Sequence, residues 1–216
     1  MASIYGALAD LSKGRDSGAI GEILLLDAMG VLYRAGDDVA ELLVPFVRQH
    51  GQATLTPGEV DRAYVTASLG EMDAPTLWRR LGVDPALEDD YLAGHRLIER
   101  TLDALPRLRT RYARVGCLSN DVAAWSVKLR QHFDLERWID PWFISGDLGL
   151  RKPSPEIYRL VLARLGVQPD HVIFVDDRPK NLDAARELGI RTVLFDARDA
   201  LSDSHHRRIR SLSELL

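Results

Sequence analysis

Three short runs along the chain are apolar almost throughout and stop at a polar residue: Ile23-Leu24-Leu25-Leu26 before Asp27, Val115-Gly116-Cys117-Leu118 before Ser119, and Val172-Ile173-Phe174-Val175 before Asp176. A strand that is apolar on both faces belongs inside a parallel sheet covered by helices. The intervening segments change to helical spacing. Pro155 to Leu165 places Ile157, Leu160, Val161 and Leu165 on one stripe, and Asn181 to Leu188 does the same with Leu182, Ala185 and Leu188. Gly166 and Gly189 follow as helix-ending glycines, and Arg191 to Phe195 supplies a further strand. Strands alternating with helices predict an α/β fold around a parallel sheet.

Between Tyr33 and about Leu105 no strand pattern occurs, and helices are predicted over Val39 to Val47, Pro57 to Leu69, Ala74 to Leu81 and Pro85 to Leu102. Thr56 and Asp73 stand where N-terminal caps belong, each followed closely by proline. The expected organisation is an α/β core of residues 21–33 and 106–216, interrupted by a small α-helical cap domain over 34–105. Both ends of such an insert return to one region of the sheet, so it would form a lid on two short connections. Residues 1–20 read as an N-terminal extension, and Ser202 to Arg210, with His205-His206-Arg207-Arg208, as a solvated surface turn.

Composition narrows the function classes. With 28 Lys and Arg against 32 Asp and Glu, the net charge of -4 gives no field that would draw a nucleic-acid backbone or an anionic membrane. The lone Cys117 excludes a disulfide framework or thiolate metal cluster within one chain and suits a reducing compartment. Met1 to Ile20 lacks the features of an export signal, and no apolar run is long enough to span a bilayer. A cytoplasmic monomer or homodimer is expected, with neither nucleic acid nor membrane as partner.

Ligands of open parallel sheets sit outside the carboxyl ends of the strands. Asp27, Ser119 and the pair Asp176-Asp177 occupy such ends, so residues some 150 positions apart converge on one cleft. Each alone has an ordinary structural role: Asp27 as a turn former, Ser119-Asn120 as a cap, Asp176-Asp177 as a helix start, Lys152 as a loop charge. Taken together, Asp27-Ala28-Met29-Gly30-Val31, Leu118-Ser119-Asn120, the run Arg151 to Tyr158, and Val175-Asp176-Asp177 with Asn181 resemble the four motifs of the haloacid-dehalogenase-like hydrolase superfamily, over roughly Glu22 to Phe195.

That resemblance implies a Rossmann-like core with a helical cap inserted after the first motif. It further implies a Mg2+-dependent phosphatase of a small phosphorylated metabolite that forms an aspartyl-phosphate on Asp27. A carboxylate attacking a phosphate dianion is repelled by it, so concentrated positive charge and hydrogen-bond donors are required. By resemblance, Asp27, the main-chain carbonyl of Met29 and Asp177 hold the metal. Asp176 acts through water or orients Lys152, and Asn181 orders the water shell. Ser119 and Asn120 donate to the phosphoryl oxygens while Lys152 neutralises nucleophile and phosphate. Arg34, just after the first motif, is the expected specificity residue from its position alone. Trp78, Arg79, Arg80, Tyr64, Tyr91, His95 and Arg96 are further cap candidates for substrate contact, set against the simpler roles of core packing for Trp78 and a solvated face for the arginines.

One position departs from the pattern. Phosphatases of this superfamily usually carry a second aspartate two residues after the nucleophile, as general acid and then base; here Met29 stands there, and a thioether holds no proton. Such help is worth about 100- to 10,000-fold in rate. A substrate with a good leaving group, or a proton from His95, Tyr33 or Arg34, would reconcile Met29 with a phosphatase. A metal-independent 2-haloacid dehalogenase also lacks the second aspartate, but would leave Asp176 and Asp177 unbalanced beside the nucleophile. A phosphonate-cleaving enzyme needs a cap lysine, and Tyr33 to Leu105 contains none. A catalytically impaired binding or regulatory protein is the remaining alternative.

Overall fold

The computed structural model describes residues 21–197 and 204–216; the expected N-terminal extension lies outside them. Six parallel strands form one sheet: β1 (Ile23–Leu26), β2 (Arg114–Ser119), β3 (Trp142–Ile144), β4 (Val172–Asp176), β5 (Arg191–Phe195) and β6 (Arg207–Ile209), in the order β3-β2-β1-β4-β5-β6. Every residue of β1 is buried, as its unbroken apolar run requires. Helices α8 (Pro155–Leu165) and α9 (Pro179–Glu187) turn Ile157, Val161, Leu182 and Ala185 toward Phe174 and Leu194 in one buried cluster. This is the Rossmann-like α/β architecture that the motifs imply.

Register decides where the polar strand ends fall. Leu26 lies opposite Cys117 of β2 and Val175 of β4, and the Asp27 amide donates to the Val175 carbonyl at 2.8 Å. Asp27, Ser119 and Asp176 therefore emerge side by side. The strand order also reverses beside β1, the place where open α/β sheets leave a crevice.

Between β1 and β2 the chain forms a π-helical turn (Val39–Leu43) and the helices α1 (Val44–His50), α2 (Pro57–Ser68), α3 (Ala74–Arg80), α4 (Glu88–Leu92) and α5 (Thr101–Arg111). Thr56 and Glu59 make a reciprocal capping box, and the Asp73 carboxylate caps α3 through the Thr76 amide at 2.8 Å. Trp78 is wholly buried, 5.0 Å from Trp125 of α6 (Ala123–His132) between ring centres. Both indole N–H groups donate to Glu88 Oε2 at 2.9 Å, so the helices of this segment are fastened to α6 by packed aromatics with their polar edges satisfied.

Two expectations fail for identifiable reasons. The helix predicted over Pro85 to Leu102 is broken: after α4 the chain runs beside residues 32–34, where the Arg34 amide donates to the Arg96 carbonyl and the Ile98 amide to the Leu32 carbonyl. Those backbone groups find partners across the fold instead of along a helix. The Ser202 to Arg210 surface turn contains edge strand β6, whose Ile209 lies opposite Phe195; two arginines in a three-residue strand conceal the pattern. His206 there is buried, with Thr192 Oγ1 at 2.7 Å from Nδ1. No described helix is long and apolar enough to cross a membrane.

Candidate active site

Lys152 is the centre of the strand-end cluster. Its ammonium lies 2.8 Å from Asp27 Oδ1 and 2.8 Å from Asp176 Oδ2, and all three side chains are buried. Burial pulls the Lys152 pKa down, but the Asp176 and Asp27 carboxylates pull it further up, so it ends above its ordinary value and stays charged. Asp27 is pushed well up by burial and by the Asp176 and Asp177 charges, against the pull of Lys152. Asp177 is raised to about 7, chiefly by burial and next by Asp176, with Arg178 and Lys152 opposing.

Asp176 is fully engaged. Its Oδ1 accepts from the Arg178 amide at 2.8 Å, and the Asn181 side-chain amide lies 3.1 and 3.0 Å from its two oxygens. Asn181 thus orients Asp176, and Asp176 in turn places Lys152. Asn120 is tied to the lysine loop. Its Nδ2 donates to the Lys152 carbonyl at 2.9 Å and its Oδ1 accepts from the Lys152 amide at 2.8 Å. The side chain is spent on holding the Lys152 backbone and fastens β2 to the lysine loop, so donation to a phosphoryl group falls to the Asn120 main-chain amide.

Three buried polar atoms at this edge have no partner among the described residues: Ser119 Oγ, Asp177 Oδ1 and Asn181 Oδ1. Orphaned buried groups are rare in native folds and call for a ligand or a functional reason. Ligand oxygens of Asp27, Asp176 and Asp177 all lie within 4.8 Å of one another. An all-oxygen set with an unpartnered carboxylate oxygen fits Mg2+, a hard cation that takes few carboxylates and keeps several waters.

Gly30, with φ +76°, makes room for this group: a Cβ there would sit 2.2 Å from Asp177 Oδ2. Gly30→Ala therefore meets both left-handed backbone strain and a steric clash. It is expected to cost about 1–2 kcal/mol or more in a denaturant titration and to weaken any stabilisation by added Mg2+ in a thermal melt.

A polar chamber of about 80 Å³ opens over Lys152, lined also by Asp27, Met29, Ser119 and Asn120. Arg151 and Arg178 add two cations to which the sequence pattern assigns no role, although Arg151 opens the third motif run and Arg178 directly follows Asp177. Arg178 is fixed by donating to the Gly36 carbonyl at 2.7 Å; Arg151 hydrogen-bonds Ser68 Oγ and lies over the Tyr64 ring. The chamber also receives Asp38 and Tyr64 from the segment between β1 and β2.

Arg34 is elsewhere, in a larger cleft of about 840 Å³ that also meets Gly30, Asp177 and Arg210. Among the cap candidates, Tyr64 alone lines the chamber. Trp78, Tyr91 and His95 are packed in the interior, Arg79 and Arg80 are exposed on α3, and Arg96 hydrogen-bonds the carbonyls of Ala93 and His95. None of the three proton donors weighed from sequence lines the chamber. Burial also holds His95 down at about 4, against its hydrogen bonding to the backbone of Leu92 and Tyr91, so it is neutral near pH 7.

The model for haloacid dehalogenase-like hydrolases matches residues 22–189. An enolase-phosphatase of Streptomyces avermitilis is 31% identical over 199 residues, 79% of this chain and 82% of that protein. Flavin mononucleotide hydrolase 1 of Arabidopsis thaliana is 37% identical over 78 residues, 36% of this chain and 32% of that protein; matches to several curated relatives span about a third of their length or less. A HAD family enzyme of Bacteroides thetaiotaomicron, in complex with magnesium and inorganic phosphate, superposes with a TM-score of 0.70 at 23% identity, covering 84% of this chain and 97% of that one. A family match across most of the chain, on a fold that brings its four motifs to one sheet edge, makes this protein a member of the haloacid dehalogenase-like hydrolase family.

Proposed function

We propose that this hydrolase is a Mg2+-dependent phosphatase of small phosphorylated metabolites that uses Asp27 as nucleophile. The observation that carries the reading is the 2.8 Å placement of Lys152 Nζ against both Asp27 and Asp176, beside the unpartnered Ser119 Oγ. The relatives named as a phosphatase and a flavin mononucleotide hydrolase support it, as does the magnesium and phosphate of the Bacteroides enzyme.

Asp27, Asp177 and the Met29 main chain would hold the cation, with Asp176 adjacent. When bound it supplies positive charge against the substrate's phosphoryl oxygens and against the three clustered carboxylates. An Asp27 oxygen attacks phosphorus, and the bond from phosphorus to the leaving oxygen breaks. Lys152 balances charge on the nucleophile throughout, while the Ser119 hydroxyl donates to a phosphoryl oxygen as the charge redistributes. Water then attacks the phosphorus, the bond to Asp27 breaks, and inorganic phosphate leaves. Arg151 and Arg178 at the chamber wall attract the dianion. The chamber's small volume admits the phosphoryl group and little more, and Arg34, in the separate larger cleft bordered by Gly30 and Asp177, would contact the rest of the substrate.

The test is phosphate release from phenyl and p-nitrophenyl phosphate with millimolar Mg2+ or with chelator. Release that needs the metal is expected. Binding of phosphate with no turnover of either ester would favour the regulatory reading, and chloride release from a 2-chloro acid in chelator would select the dehalogenase reading.

A further inference from the structure

We propose that Asp38 carries the proton that Met29 cannot, acting as general acid toward the leaving oxygen and then as general base toward the hydrolytic water. This rests on the phosphatase reading above.

The geometry singles it out. Asp38 lines the same small chamber as Asp27, Met29, Ser119 and Lys152, but enters it from the segment between β1 and β2. It is only 5% exposed, and its Oδ2 has no hydrogen-bond partner among the described residues. No capping bond accounts for its burial. Asp38 stands at the start of the Val39–Leu43 turn and caps nothing with its side chain; the neighbouring Asp37 does that work, accepting from the Ala40 amide at 3.0 Å. A buried carboxyl oxygen that neither caps nor pairs costs stability, and such groups mark functional positions. The other chamber carboxyls from this segment, Asp37 and Asp61, are exposed to water. Asp121 is buried, but it is spent on the Val122 amide and does not line the chamber.

The surroundings suit proton transfer near neutrality. Burial raises the Asp38 carboxyl to about 6, with the Tyr64 hydroxyl and Arg178 guanidinium pulling down and Asp37 pushing up. Tyr91 and Asp121, from α4 and the end of β2, feel its charge in turn. A general acid works best with a pKa close to the operating pH.

The steps balance. In the first, an Asp27 oxygen bonds to phosphorus, the bond to the ester oxygen breaks, and that oxygen takes the electron pair together with the Asp38 proton, leaving as an alcohol. In the second, Asp38, now a carboxylate, takes a proton from water as the water oxygen bonds to phosphorus. The bond to Asp27 then breaks, freeing its carboxylate and inorganic phosphate, and Asp38 is again protonated.

The experiment compares phenyl with p-nitrophenyl phosphate, esters of nearly one shape whose leaving groups differ in their need for a proton, on the wild type and on Asp38→Asn with Mg2+. Because kcat/KM reports events through transfer to Asp27, the variant is expected to lose about 100- to 10,000-fold on phenyl phosphate and less than about 10-fold on p-nitrophenyl phosphate. Its kcat is expected to fall on both, since the second step loses its base, leaving a burst of nitrophenol before slow turnover.

Adding Met29→Asp to Asp38→Asn is expected to restore phenyl phosphate hydrolysis. Asp38→Ser serves if the asparagine variant does not fold. The wild type supplies an independent readout: kcat/KM for phenyl phosphate falls as pH rises through a limb near 6 that p-nitrophenyl phosphate lacks. An active variant with an unchanged ratio between the esters overturns the assignment to Asp38 and leaves the phosphatase reading standing. A wild type that releases phosphate from neither ester overturns that reading and this inference with it.

Discussion

Replacing Asp27 by asparagine is expected to abolish phosphate release, by about 10⁴- to 10⁶-fold, while making the metal-free fold more stable. The kinetic loss follows from removing the atom that bonds to phosphorus; knocking out one member of a nucleophilic unit costs about as much as removing the whole unit. The gain in stability follows from the charges. Asp27 is buried beside Asp176 and Asp177, and burial with those neighbours outweighs Lys152 in raising its pKa. A group whose folded pKa is raised binds more protons folded than unfolded, so at pH 7 its ionised form opposes folding. Asparagine has the shape without the charge, and Lys152 keeps Asp176 as a partner at 2.8 Å. A rise in melting temperature in chelator is expected, and added Mg2+ should then raise it no further. A variant that melts lower in chelator and still releases phosphate would contradict both halves.

Lys152→Met is expected to do the opposite to stability. It removes the ammonium that Asp27 and Asp176 share and leaves two carboxylates buried against each other. Breaking a buried pair by deleting one partner costs about 3–5 kcal/mol, or roughly 6–20 °C in melting temperature for a domain of this size. Activity should fall with it, since charge on the nucleophile and the incoming phosphate is no longer balanced. The two substitutions share one contact and so should not add: in Lys152→Met/Asp27→Asn one of the stranded carboxylates has become neutral, and part of the lost stability returns. Chemical denaturation of the wild type, both single variants and the double variant, all in chelator, measures that coupling.

The parts of the site that were legible in the sequence are those set by strand ends. A short apolar run ending in Asp27, Ser119 or Asp176 fixes both the strand and the edge where its polar residue emerges, and parallel register brings those edges together. The short outer strands are not legible: Trp142–Ile144 is wholly apolar but only three residues long, and Arg207–Ile209 has a single apolar position, so neither shows a period. The break after α4 was hidden because it depends on backbone pairing with residues 32–34, which no local pattern records. Asp38 and Tyr64 escaped for the same reason. Neither lies in a motif, and only the folding of the helical segment over the sheet edge brings them to Lys152. That the Asn120 side-chain amide is committed to the Lys152 backbone cannot be read from its spacing, because the partner lies 32 residues away.

The most direct measurement is acid quenching during turnover of p-nitrophenyl phosphate with Mg2+, followed by mass spectrometry of the peptide that carries Asp27. The expected result is a phosphoryl group on Asp27 that is removed by hydroxylamine and never forms on Asp27→Asn. Phosphate released steadily by the wild type, with that peptide unmodified at every quench time under conditions that preserve acyl phosphates, would contradict covalent transfer to Asp27.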